Sequence, residues 1–146
     1  MPTPDLALAE RVFVHIQAHP ETWEQGAWAH KSDCGTTHCF AGHAVALAYP
    51  HAVFHLATDD DDVPGEEYAW NVTPLDGQQP RLIRDVAQEL LGLNEGEADE
   101  LFSATHGLLG LAVVIENLAH GHSLALPSSI GAYVLAHESE ADDGDA

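Results

Sequence analysis

CGTTHCFAGHAVALAY, residues 34–49, holds both cysteines of the chain and two of its eleven histidines. Gly35 with Thr36 and Thr37 reads as a turn followed by a hydroxyl N-cap, since a threonine oxygen accepts from an unpaired N–H of the next turn. Cys39, Phe40, His43, Ala44 and Leu47 then recur at spacings of three and four, the period of a helix with one buried stripe. Ala41, Gly42, Ala44, Ala46 and Ala48 keep that helix thin, so a neighbouring backbone can approach it closely. Pro50 cannot continue the hydrogen-bond ladder and ends it near Tyr49. The remaining apolar periodicity reads as helices packed around this one.

Helices are expected over Asp5–Ala18, from Pro80 to the cap at Gly92, from Asn94 to Ser103, and over Leu108–Gly121. Pro80 suits a first helical position, and Asn94 with Glu97 has the spacing of a capping box. Pro127–Ala136 reads as a final helix or docked extension. Tyr68, Trp70 and Val72 alternate with small or polar residues, as a short strand or extended edge would. The fold class expected is therefore all-α, a compact bundle of about five helices with an acidic loop. The domain spans 1–136, and the acidic tail 137–146 reads as disordered.

Two chemistries compete for the central stretch. Cys34, His38, Cys39 and His43 supply the thiolates and imidazoles that tetrahedral zinc prefers, although all four crowd into ten residues. Zinc binding is thus the alternative, and otherwise no cofactor is expected. Cys39 at a helix N-terminus is also a candidate redox thiol with Cys34 as its resolving partner. The plainer reading makes Cys39 a small core hydrophobe. His15 and His19, four apart, have the spacing of a metal-binding pair but read more simply as surface or cap. Trp23 and Trp28 read as plugs at a core edge, their indole N–H groups bonded to backbone, with a ligand-stacking role as the alternative. No catalytic residue is nominated.

The pattern Cys-Gly-Thr-x-x-Cys-x-Ala-Gly-x-Ala, here Cys34 to Ala44, resembles one in small uncharacterised proteins of actinobacteria and their phages. His19-Pro20 with Trp23 before it, and Leu91 to Phe102 after it, extend the similarity to about two thirds of the chain. The resemblance implies a compact helical domain of no assigned activity. It also implies variation at the positions of His38 and His43, which counts against zinc.

Composition narrows the partners. Asp and Glu number 24 against 4 Lys and Arg, a net charge of −20 at pH 7 that disfavours nucleic acid and anionic membranes. The 45% of hydrophobic residues is enough for a core despite that charge. A basic protein is the expected partner. The candidate docking acids are Asp59, Asp60, Asp61, Asp62, Glu66 and Glu67 in the loop, with Glu95, Glu97, Asp99 and Glu100 in the helix after Asn94. In its extreme form this docking is mimicry of nucleic-acid phosphates. The loop lacks the ligand spacing of a calcium-binding EF-hand. The N-terminal stretch lacks a basic region and a long apolar core, so no signal peptide is expected and the cytoplasm is the default. Acids near the histidines are expected to favour their charged form, so that mild acid lowers the net charge and promotes association.

Overall fold

The computed structural model describes residues 3–32, 35–57 and 66–144, with 138–144 as backbone only. It corrects the all-α, all-helical expectation: the chain is mixed α/β, with six α-helices and two three-stranded antiparallel sheets among the described residues. The elements run α1 (Leu6–Ala18), a 3-10 turn (Pro20–Thr22), β1 (Ala29–Ser32), β2 (Gly35–His38), α2 (Phe40–Ala48), β3 (Val53–Phe54), β4 (Glu67–Ala69), β5 (Asn71–Thr73), β6 (Arg81–Leu82), α3 (Ile83–Leu91), α4 (Glu95–Leu101), α5 (Leu108–Gly121) and α6 (Ser128–Gly144).

The strands are two to four residues long, too short to leave a period-2 signature in the sequence. Gly35-Thr36-Thr37, expected as turn and cap, is instead most of β2. Threonine is stiff at χ1 and favours extended backbone, and pairing with β1 satisfies its N–H and C=O groups. Register pairs Ala29 with His38 and Ser32 with Gly35, and β4 joins the other edge of β1, giving the order β2-β1-β4. The Tyr68–Val72 alternation is extended as expected, but Trp70 splits it between the two sheets. β4 belongs to the first sheet, and β5 lies between β3 and β6 in the second. Pro80 precedes β6 rather than starting a helix. The stretch expected as a disordered tail overlaps the end of α6, and residues 145–146 lie outside the described residues.

Helix α2 sits inside this frame, with Phe40 to Val45 all buried. It packs on α1 and α3, while α5 packs on α1, α4 and α6. Gly42 marks a close approach of α2 to the chain entering β1: a Cβ there would lie 2.3 Å from the Trp28 carbonyl oxygen. Gly92 closes α3 in the left-handed region at φ 66°, a conformation that glycine adopts without steric cost. Val12, Phe13, Ile16, Phe40, Ile83, Leu101, Leu111, Ile115 and Ile130 are fully buried in one continuous core. Among the described residues no helix is long and apolar enough to cross a membrane.

The capping box opens α4 as expected: Glu97 N–H donates to Asn94 Oδ1 at 2.8 Å, and Asn94 N–H donates to Glu97 Oε1 at 2.9 Å. Asn94→Ala removes one of these bonds and is expected to cost about 1 kcal/mol. Urea denaturation would register this as a lower midpoint at unchanged m-value, and an unchanged midpoint would mean that the cap contributes nothing.

Candidate functional site

The loop between the 3-10 turn and β1 organises the surroundings of α2 through one buried amide. Gln25 Oε1 accepts from Trp23 Nε1 at 3.0 Å and from the Phe40 N–H at 3.1 Å, the first amide of α2. Its Nε2 donates to the carbonyls of Ser103 at 3.0 Å and Leu101 at 3.4 Å. The expected backbone partner of the Trp23 indole is thus a side chain, itself tied to α2 and to the end of α4. Trp28 meets Phe102 edge-on with centroids 6.1 Å apart, plugging the core edge.

The residues nominated for metal lie at the junction of β2 and α2. His38 ends β2, Cys39 is the residue before α2, and His43 is on its first turn; Cys34 lies outside the described residues. Cys39 and His43 meet through backbone: His43 Nδ1 donates to the Cys39 carbonyl at 3.0 Å. In the neutral ring Nε2 is then an acceptor facing Thr22 Oγ1 at 3.2 Å. The four rings His19, His15, His43 and His38 form a row with neighbouring centroids 4.9, 5.4 and 5.4 Å apart. Among the described residues, no three of His, Cys, Asp and Glu are placed to hold one ion.

Burial sets the protonation of this junction. It pushes the Cys39 thiol up to about 11, outweighing the amides of α2 that favour the thiolate, so Cys39 is a neutral thiol at pH 7. Burial, then the neighbouring His43, brings His38 down to about 4, and its buried Nε2 has no hydrogen-bond partner among the described residues. His43 is lowered as well, again chiefly by burial. The expectation that acids favour the charged histidine therefore fails for these two.

It holds for His30, a largely buried residue of β1 in the first sheet. His30 Nδ1 lies 3.0 Å from Glu24 Oε1, and its Nε2 lies 3.5 Å from Glu66 Oε1. The hydrogen bond to Glu24 raises its pKa against the effect of burial, and Glu66 adds to the rise. The imidazole stacks on Tyr68 with centroids 4.4 Å apart and planes 5° apart. Beside this pair, a cleft of about 290 Å³ opens where the chain entering β1 and the end of β4 diverge. Trp28, Tyr68 and Trp70 line it together with Gly26, Ala27, Ala29 and Ala69.

The acids nominated for docking fall into three groups. Asp59 to Asp62 lie outside the described residues. Glu66 faces His30, and Glu67 lies in β4 opposite Lys31. On α4, Asp99 binds the Arg84 guanidinium and Glu95 sits 3.1 Å from it. Glu97 contacts His122 Nε2 at 2.6 Å. Burial acts to raise the Glu97 carboxyl, but the Asn94 amide and His122 together hold it below its usual value. Much of the α4 charge is thus engaged within the chain. Glu24 and the cleft were not nominated from sequence. The Tyr68/Trp70 alternation and the stacking alternative for Trp28 were the visible traces of the cleft, whereas nothing in the sequence spacing marked the contact of Glu24 with His30.

Compared with known proteins, the chain matches no family model, no curated protein and no solved structure.

Proposed function

We propose that this chain is a non-catalytic docking protein that binds a basic segment of another protein through its negative surface. The observation that carries this reading is how the few cations are placed. Arg81 is paired with Glu89, and Arg84 with Glu95 and Asp99, so two of the four basic side chains are neutralised by neighbours. Most of the 24 acids are left to set the sign of the surface potential. The neutral, buried Cys39 offers no nucleophile to compete with this reading. We take the compartment to be the cytoplasm, where a reducing environment keeps Cys39 a thiol.

Fluorescence anisotropy with a labelled hexa-arginine peptide tests the proposal. Raising NaCl from about 50 to about 300 mM is expected to weaken binding by about tenfold or more, since screening shortens the reach of surface charge. Absence of binding at the lower salt, or an affinity indifferent to salt, would contradict it.

A further inference from the structure

We infer that the cleft between residues 26–29 and 68–70 is the anchor point for an arginine side chain of that basic partner. The inference rests on the docking reading and adds to it a specific pocket and a specific cation. The cleft, at about 290 Å³, has room for one long side chain but not for a helix. Trp28, Tyr68 and Trp70 are among its lining residues, and Trp70 is 49% exposed, an unusual position for so large an apolar surface. Tryptophan is the strongest aromatic partner for a cation, and a planar guanidinium stacks on it as a compact ammonium does not.

Charge selects the occupant among the ligands that aromatic walls could hold. A nucleotide would use the same rings, but its phosphates meet a chain of net charge −20. Glu24 and Glu66 both face His30, two carboxylates for one imidazole. Even with His30 charged, this side of the sheet keeps one negative charge next to Tyr68, a wall of the cleft. An incoming cation therefore meets π-faces and a carboxylate excess together. Glu66 and Tyr68 both contact His30, and the Tyr68 and Trp70 rings lie 6.3 Å apart, so the acid and the aromatic residues come from one short segment.

Labelled hexa-arginine, hexa-lysine and hexa-citrulline, titrated at about 150 mM NaCl, separate this inference from the reading beneath it. The wild type is expected to bind hexa-arginine about fivefold more tightly than hexa-lysine, and hexa-citrulline not at all. Trp70→Ala is expected to weaken hexa-arginine about tenfold and to erase the preference over lysine. Glu66→Gln should weaken it about threefold, while Glu116→Gln on α5, which removes the same charge, should change it by less than about twofold. Circular dichroism checks that each variant is folded, and Glu66→Gln carries the test if Trp70→Ala is not. Equal affinities for wild type, Trp70→Ala and Glu66→Gln would overturn the cleft and leave charge-driven docking standing. No binding of hexa-arginine to the wild type, even at low salt, would overturn both.

Discussion

Gly42→Ala is expected to destabilise the protein by about 3 kcal/mol, one of the largest losses available to a single methyl group. The added Cβ would lie 2.3 Å from the Trp28 carbonyl oxygen and 2.9 Å from His38 Cβ. Neither neighbour can retreat cheaply. Trp28 adjoins β1 and packs on Phe102, and His38 is paired to Ala29 across the sheet. Relief would require shifting α2, whose first amide is fixed by the buried Gln25. Gly26→Ala is the matched control, because a Cβ there meets nothing within 4 Å. Its expected change is a few tenths of a kcal/mol. Equal urea midpoints for the two variants would show that α2 does not press against the first sheet as described.

The second large effect is a loss of stability in mild acid. His38 in the unfolded chain takes up a proton near pH 6.5, while in the folded protein it resists protonation down to about 4. Between those values the unfolded state binds more protons, so stability falls as pH falls. The full loss from this ring is about 3 kcal/mol at pH 4, with about 2 kcal/mol already gone at pH 5. His43 is shifted in the same direction and adds to the slope. His30 is shifted the other way. Its contribution is fully present below pH 6.5 and is lost as pH rises through its raised value, so it does not steepen the acid slope. Glu97, held below the usual carboxylate range, loses its contribution only as pH falls below about 4.5, beneath the pH 5–7 range of the measurement. Urea unfolding at pH 7, 6 and 5 measures the slope, and His38→Leu should flatten it. A stability that is level across that range, or a His38→Leu variant with the wild-type slope, would contradict burial of a neutral ring.

The sequence displays its helices because each repeats an apolar stripe over several turns. Ile83, Val86, Ala87 and Leu91 in α3, and Leu111, Ala112, Ile115 and Leu118 in α5, are buried in that order. The thinness of α2 was visible in its alanines and glycine, and so was the Asn94–Glu97 cap. The sheets were hidden for a physical reason. Strands of two to four residues have too few positions to show alternation, and their stability comes from partners remote in sequence. β1 (AHKS) and β2 (GTTH) carry no large apolar residue at all. Missing the hairpin also hid the site, since β1, β2 and β4 together bring Glu24, His30, Glu66 and Tyr68 into contact. The thiol reading of the central stretch depended on exposure, which residue spacing does not report. Cys39 and His43 are buried within the helix packing that their own periodicity announces.

An NMR titration of the ¹⁵N-labelled protein with hexa-arginine tests the central claim, docking of a basic segment, most directly. Saturable shifts centred on the backbone amides of residues 24–30 and 66–70, weakening as salt is added, are the predicted result. No shifts at low salt, or shifts indifferent to salt, would contradict it, whereas shifts scattered over α4 and α5 would contradict the cleft alone.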